Sequence, residues 1–265
     1  MIKYFEKIGS PIKYWFTVSF EFIRLVFQTI YWIFVGPTRG KLINWQAVFA
    51  QMVYMGVQSI VIVFFVMFFT GIVLAMQSAH QLEKMGATIY VASLVTISVC
   101  RELGPVLTAL VIAGRIGAAI TAEIGSMQVN EQIEALDTMA ISPVRYLIVP
   151  KLVALFFMLF CLTVIGDVSG FLGGYVIGVN SLKINSALYI QTAFDYLSVK
   201  DIWTGLSKPF VFSIIIAMVG AYQGLKTQGG AVGVGHATTI SVVTSFILII
   251  LADCFITGIY YFWNF

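Results

Sequence analysis

Four charged residues interrupt stretches of this sequence that are otherwise apolar. Arg101 and Glu102 lie together between two uncharged runs, and Asp167 and Asp253 stand singly within later ones. An ionisable side chain inside a membrane is costly and faces a cavity or a partner group, which makes it a functional candidate. For Arg101 and Glu102, a substrate pathway and a structural ion pair both stay open. Because successive helical residues point in different directions, at least one of the two needs a further partner.

The other reactive side chains favour neither catalysis nor metal binding. We interpret Asp167 and Asp253 as carboxyl groups that are protonated or hydrogen-bonded to backbone or hydroxyl groups. A proton or sodium site in a secondary transporter or channel is the alternative. His80 and His236 have no His, Cys or carboxylate neighbour at ligand spacing. The cysteines lie singly in apolar runs as free thiols. We therefore predict no catalytic residue and no metal, which disfavours an intramembrane enzyme.

The composition places most of the chain in lipid. Hydrophobic residues make up 60% of the 265 residues and charged residues only 10%, against roughly 25% charged in soluble domains. The apolar runs are long and uninterrupted, as in membrane helices, rather than alternating as in barrel strands. We predict an all-α integral membrane protein that forms a single domain over residues 1–265, with no nucleic-acid partner.

Hydropathy predicts an interfacial helix followed by five spans. In residues 1–40, Lys13, Glu21 and Arg24 fall on one helical face opposite aromatic side chains, which is typical of a helix lying in the interface. A tilted transmembrane helix is the alternative. Ser10 and Pro11 predict where the long helix begins, and Pro105 predicts a kink in the second span. The predicted spans are residues 53–76, 90–119, 144–179, 209–225 and 239–263.

The distribution of basic residues predicts the orientation. An odd number of spans puts the termini on opposite sides, and ten basic residues lie on the N-terminal side against four on the other. The ten are Lys3, Lys7, Lys13, Arg24, Arg39, Lys41, Arg115, Arg145, Lys151 and Lys226, and the four are Lys84, Lys183, Lys200 and Lys208. The positive-inside rule then predicts a cytoplasmic N-terminus.

Small residues recur every four positions in two of the spans. They are Gly166, Gly170, Gly174 and Gly178 in the third, and Ala109, Ala113, Gly117, Thr121 and Gly125 in the second. This spacing lets helix backbones approach closely in lipid. We predict that both spans pack tightly, against each other or against a second copy.

No stretch of the sequence offers a nucleotide site. The glycine-rich segment 224–237, which we interpret as a loop, lacks the Gly-Lys-Ser/Thr ending of a phosphate-binding loop and follows a membrane helix. Nucleotide-driven work would therefore fall to a partner chain.

A short amphipathic helix is predicted between the second and third spans, in residues 126–142. Asn130 could cap it, Ile133 and Leu136 share an apolar face, and Glu131 and Glu134 lie opposite. An interfacial connector and a coupling helix seated in a groove of a soluble motor both fit this pattern.

Two blocks of sequence resemble a known family. The run RELGPVLTALVIAGRIGAAITAEIGSMQVNEQIEALDTMAISPVRYLIVPK and the later stretch GLKTQGGAVGVGHATTISVV resemble the MlaE/YrbE permeases of ABC systems that move phospholipids together with MCE-domain proteins. The portion EALDTMAISPVRYLIVP is also similar to the coupling motif of ABC importers. There Ala140 replaces the usual glycine, and the distance to Pro150 is shorter.

The resemblance implies partners and a place in the cell. We expect a homodimer, bound through the coupling helix to two ATPase subunits that hold ATP and Mg, and on the far side to a hexameric MCE protein. A small STAS-type accessory subunit is a further expected partner. The expected location is a bacterial inner membrane with the C-terminus in the periplasm, in preference to a plastid inner envelope.

The resemblance also implies site residues. The expected lipid-binding residues are Leu74, Gln77, Leu82, Met85, Arg101 and Glu102. The expected ATPase-coupling residues are Glu131, Ile133, Glu134, Leu136 and Asp137.

Overall fold

The chain folds as a bundle of helices. The computed structural model describes residues 2–36 and 44–262, with side chains at residue 17 and from residue 19 onward, and that part contains no β-strand. The α-helices are α1 (Ile2–Phe34), α2 (Trp45–Met55), α3 (Ile60–Glu83), α4 (Val91–Ser98), α5 (Gly104–Ile112), α6 (Ala118–Val129), α7 (Gln132–Thr138), α8 (Val149–Asn180), α9 (Ser186–Asp195), α10 (Val199–Leu225) and α11 (Gly230–Phe262).

Five helical stretches in the described residues are long and apolar enough to cross a membrane, which confirms the predicted all-α membrane fold. They are Trp45–Glu83, Thr88–Val129, Val144–Asn180, Val199–Leu225 and Gly230–Phe262. Each extends beyond its predicted bounds at one end or at both, because helical hydrogen bonding continues into the polar residues at which a hydropathy reading stops. The predicted end of the fifth span, Trp263, lies outside the described residues.

Two predicted connections are mostly helical. The predicted bounds of the first two spans leave a connection between residues 76 and 90, but α3 continues to Glu83 and leaves only four residues before the second span. The glycine-rich segment 224–237 was predicted to be a loop, but α11 begins at Gly230. The turn there is short because Gly229 and Gly230 adopt positive φ angles of 87° and 69°, which glycine accepts without steric cost.

Helix α1 lies against the bundle and is not among the five stretches that could span. Its Leu25 and Thr29 are buried, whereas Phe20, Phe27 and Phe34 are exposed at intervals of seven residues. The helix begins at Ile2, so the predicted start at Ser10 and Pro11 is wrong. Pro11 has no backbone N–H and so removes one helical hydrogen bond, a loss that a helix of 33 residues can tolerate.

Three wide π-helical turns interrupt the spans. They are Val99–Leu103, Ala113–Gly117 and Val144–Ile148. The first ends directly before Gly104 and Pro105, and the third lies two residues before Pro150. A π turn moves the backbone hydrogen bond to the residue five positions back, as in Gly104 N–H donating to the carbonyl of Val99. The ring of Pro105 is thus accommodated at the predicted kink by a local change of pitch.

The small-residue stripes pack within one chain. In the third span, Gly170 lies against the backbone at Gly71 of α3 and against Val99 of the second span. The stripe of the second span faces the fourth, where Gly220 approaches the carbonyl of Gly117. The tight packing of both spans is therefore present, but the second-span stripe meets the fourth span rather than the third.

Gly71→Ala should destabilise the bundle. A methyl group at Gly71 would overlap the carbonyl of Gly170, a backbone atom that cannot move aside. Overpacking of this kind costs about 1 to 3 kcal/mol. Thermal unfolding in detergent should show a lower midpoint for Gly71→Ala than for the wild type. The midpoint of Gly258→Ala should not be lowered, because a methyl group there meets no atom within 4 Å. Equal midpoints for the two variants would contradict this account of α3–α8 packing.

Candidate functional site

A buried ammonium joins three spans at the level of Glu102. The side chain of Lys208, on α10, is fully buried and forms an ion pair with Glu102 in the first π turn. Its Nζ also lies 2.7 Å from Asp253 Oδ1 on α11 and donates a hydrogen bond to Thr257 Oγ1 at 2.9 Å. The hydroxyl of Thr257 donates in turn to Glu102 Oε1 at 3.2 Å. We call Glu102, Lys208, Asp253 and Thr257 the charged network.

The charged network has one open side. Lys208 has no exposed side-chain surface, whereas the side chains of Glu102 and Asp253 are 34% and 22% exposed in the single chain. Two carboxylates facing one ammonium leave a net negative charge. Ionised groups that remain partly exposed within spans need water or a polar partner, not lipid tails.

Arg101 has a separate partner. Its Nη1 lies 3.4 Å from Asp201 Oδ1 at the start of α10. Asp201 Oδ2 accepts hydrogen bonds from the backbone N–H and hydroxyl of Ser198, which form a capping box at that end of the helix. Arg101 and Glu102 thus point to different partners, as their adjacent positions predicted, and both pair with the fourth span.

Sequence reasoning missed Lys208 and misread Asp253. Lys208 was predicted to lie outside the membrane on the far side, because the fourth span was expected to begin at Pro209. The span begins at Val199, so Lys200 and Lys208 lie inside it. Arg115, Arg145 and Lys151 likewise lie inside the second and third spans, so the count of basic residues outside the spans becomes seven against two. Five of the seven, Lys3, Lys7, Lys13, Arg39 and Lys41, have side chains outside the described residues. Asp253 is ion-paired, not isolated.

Asp167 differs from Asp253. Its Oδ1 is buried without a hydrogen-bond partner among the described residues, directly against Gly104. The predicted hydrogen bond to backbone or hydroxyl is absent for that atom. Within the described residues, no group of three His, Cys, Asp or Glu side chains could hold a metal ion.

The remaining residues expected to bind lipid lie on the first span and its connection to the second. Leu74 and Leu82 are half-buried and pack against the core, whereas Gln77 and Met85 are exposed. Arg101 and Glu102 form contacts with the fourth and fifth spans.

The short helix α7 follows the predicted amphipathic pattern. Ile133 is buried and Leu136 half-buried, whereas Glu131, Glu134 and Asp137 are exposed. The helix begins at Gln132, and Glu131 precedes it in a left-handed conformation with φ 58°. The predicted cap at Asn130 is wrong, because its side chain is directed to Ser126 Oγ at 3.5 Å.

Exposed apolar side chains surround the acidic face of α7. Met139 is 60% exposed and Tyr146 is 56% exposed, and the side chain of Ile141, which lies between them in the sequence, is also exposed. Large apolar groups beside charged ones are typical of a surface that a protein partner covers.

Ala140 occupies a position that favours glycine. Its φ is 58°, a left-handed conformation that costs a residue with a Cβ about 1 to 3 kcal/mol. A glycine at this position, as in the importer motif that the sequence resembles, would avoid this cost. Ala140→Gly should raise the free energy of unfolding by up to about 1 kcal/mol. Ala135→Gly, inside α7, should lower it by about 0.5 to 1 kcal/mol. Chemical denaturation of both variants checks the prediction, which fails if Ala140→Gly is the less stable of the two.

Two further ion pairs hold the α7 end of the bundle. Lys151 on α8, only 3% exposed, lies 2.6 Å from Glu123 on α6. Lys226, directly after α10, forms an ion pair with Glu21 of α1. The hydrogen bond from Lys226 lowers the pKa of the Glu21 carboxyl below its ordinary value, so α1 and the fourth span are joined by a charged contact at neutral pH.

Comparison with known proteins agrees with this architecture. Residues 48–259 match the family described as "Permease MlaE". A "Probable ABC transporter permease protein" of Rickettsia bellii is 43% identical over 211 residues, which cover 80% of this chain and 82% of the relative. A protein of Synechocystis sp. with the same description is 38% identical over 243 residues, covering 91% and 92% of the two chains.

A third relative extends the comparison. The protein of Porphyra purpurea, also described as a probable ABC transporter permease, is 36% identical over 206 residues, 78% of each chain. These relatives are named as permeases and not as enzymes. The family model spans all five membrane helices and α7, which confirms the resemblance found in the sequence. The chain therefore belongs to the MlaE family of ABC transporter permeases.

Proposed function

We propose that this permease moves phospholipid between its membrane and an MCE-domain protein, driven by a pair of ATPase subunits that bind at α7. The work maintains the lipid asymmetry of the envelope. As an ABC permease the chain implies an ATPase partner, and ATP and Mg belong to that partner. The lipid cargo, the hexameric MCE protein and a small STAS-type subunit are the finer parts of the proposal.

The open side of the charged network carries this proposal. Glu102 and Asp253 are partly exposed within spans that also expose many large apolar side chains. A phospholipid needs both environments, since its headgroup is polar and its acyl chains are not. The first span and its connection to the second provide apolar side chains at Leu74 and Leu82 and an amide at Gln77. The second span provides the charged pair Arg101 and Glu102. These side-chain types are compatible with such a cargo.

A second copy of the chain would close this open side. Only 11% of the most apolar stretch of the fifth span is buried, and 28% of that of the first. Lipid tails can cover apolar side chains, but they cannot solvate the exposed oxygen atoms of carboxylates. A homodimer with two-fold symmetry would place two charged networks around a shared cavity, the arrangement in which six lipid-binding residues from each copy could act together.

The proposed orientation puts α7 and the N-terminus in the cytoplasm and the C-terminus in the periplasm. Outside the spans, seven basic residues on the α7 side against two on the other support it. The acidic and apolar surface of α7 would then face the ATPase. We propose a bacterial inner membrane as the location, in line with the relatives in Rickettsia and Synechocystis.

Purification in mild detergent, without overexpressed partners, tests this function. Mass spectrometry should find an ATPase, an MCE-domain protein and phospholipid in the purified material. Reconstituted assemblies should exchange labelled phospholipid only when ATP is hydrolysed. Exchange that follows an ion gradient without the ATPase would instead favour a secondary transporter, for which the unpartnered carboxyl of Asp167 is the candidate ion site. Recovery of neither ATPase nor lipid would contradict the proposal.

A further inference from the structure

A cavity of about 520 Å³ with both charged and apolar walls lies at the α7 end of the bundle. Its walls come from the last turns of α1, the start of the first span and the start of the third, and include Trp32, Asn44, Gln51 and Arg145. This volume falls within the roughly 300 to 1,000 Å³ of small-molecule sites. Separate elements therefore enclose a space that is large enough for a polar ligand.

The cavity carries more positive than negative charge. Arg145 and Lys151 line it with one carboxylate, Glu123, which is already paired with Lys151 at 2.6 Å. Arg145 Cζ lies 5.8 Å from the ring centroid of Trp32, and no carboxylate of the described residues lies within salt-bridge distance of it. The guanidinium of Arg145 is thus available to bind an anion, and its planar set of N–H donors suits the geometry of a phosphate.

Gln51 adds a requirement for a hydrogen-bond donor. Its Oε1 is buried and accepts no hydrogen bond from the described residues. Buried carbonyl oxygens in proteins are almost always paired with a donor. A ligand with a phosphate for Arg145 and a hydroxyl or ammonium group for Gln51 would satisfy both side chains.

An apolar groove of about 430 Å³ begins beside this cavity. The two spaces share walls at three points of the chain, where consecutive residues divide between them. Asn44 lines the cavity and Trp45 the groove, Lys151 the cavity and Leu152 the groove, and Trp32 the cavity and Ile33 the groove. Every residue that lines the groove is apolar. A charged space thus continues into an apolar one between α1, α8 and α10.

We infer that this paired space binds one glycerophospholipid from the leaflet at the α7 end, with the phosphate at Arg145 and an acyl chain in the groove. The headgroup carries a donor for Gln51, as phosphatidylglycerol does and phosphatidylcholine does not. The site is separate from the charged network, which lies inside the spans in the half farther from α7. Ala140 and Ile141 also line the cavity, so the bound lipid touches the connection that joins α7 to the third span.

Native mass spectrometry of the full-length protein tests this site. The protein is extracted from vesicles of phosphatidylcholine that contain a minor fraction of phosphatidylglycerol. We expect the wild type to retain one more phosphatidylglycerol per chain than Arg145→Gln, and titration to show roughly tenfold weaker binding for that variant. Lys200→Gln removes an exposed cation at the opposite end of the bundle and should bind as the wild type does.

A second variant keeps the test decisive if Arg145→Gln folds poorly. Ile30 lines the groove and is 43% exposed, so Ile30→Trp can fill the groove without entering the core. It too should lose the additional lipid. Equal retention by Arg145→Gln, Ile30→Trp and Lys200→Gln would overturn the site. Thermal protection by inorganic phosphate equal to that by phosphatidylglycerol would overturn its assignment to a lipid.

Discussion

Lys208→Met should destabilise the bundle more than any other single substitution considered for this chain. The ammonium of Lys208 is fully buried and neutralises Glu102 and Asp253 on two other helices. Its removal leaves two carboxylates facing each other within the spans. Breaking a buried ion pair by removing one partner costs about 3 to 5 kcal/mol. Thermal or denaturant unfolding in detergent should therefore show a large loss of stability or a failure to fold.

A triple variant separates the loss of charge from the loss of packing. Lys208→Met combined with Glu102→Gln and Asp253→Asn removes the charged network without leaving an unpaired charge, and should recover most of the lost stability. Such a variant should fold yet fail to transport if the network contacts the headgroup. A triple variant as unstable as Lys208→Met alone would show that uncompensated carboxylate charge is not the cause of the lost stability.

Charge reversal on α7 should abolish ATPase binding. Glu131, Glu134 and Asp137 are exposed, whereas Ile133 holds the helix to the bundle from its other face. Changing all three acidic residues to lysine reverses the charge that a partner groove would meet. We expect co-purification with the ATPase to fall roughly tenfold or more, which corresponds to at least about 1.4 kcal/mol of binding free energy.

The matched control for α7 is an exposed carboxylate at the opposite end of the bundle. Glu83→Lys changes charge at the end of α3 and should leave ATPase binding unchanged. The α7 variant should also keep the unfolding midpoint of the wild type, because its three substituted side chains are exposed. Unchanged association in the α7 variant would remove this helix from the coupling mechanism.

Much of the fold could be predicted because lipid leaves few choices. An uninterrupted apolar run must be helical to satisfy its backbone, so the number of spans and the place of α7 follow from hydropathy. The ends of the spans could not be predicted in this way. Lys200, Asp201 and Lys208 make the start of α10 look soluble, and nothing in their order shows that Lys208 points into the bundle.

The pairing of the charged residues was also beyond the sequence. Arg101 and Asp201 are a hundred positions apart, and Glu102 and Lys208 more than a hundred. Such partners are fixed only when three helices are rotated into register about their axes. The backbone conformation at the start of α7 could not be predicted either. Glu131 adopts a left-handed conformation directly before the helix, and the Asn130 side chain does not cap it.

The three π turns decide how a change in chain length acts on the spans. Each turn contains one arginine, namely Arg101, Arg115 and Arg145, and each holds one residue more than a regular α-helix would. Deleting an uncharged residue from Val99–Leu103 would remove that extra residue, so the segments on either side would join in regular α-helix and keep their register. The same deletion in a regular stretch such as Ala118–Val129 would turn one side by about 100° relative to the other. An in-frame loss of one codon should therefore be far less harmful within a π turn than elsewhere in the same span.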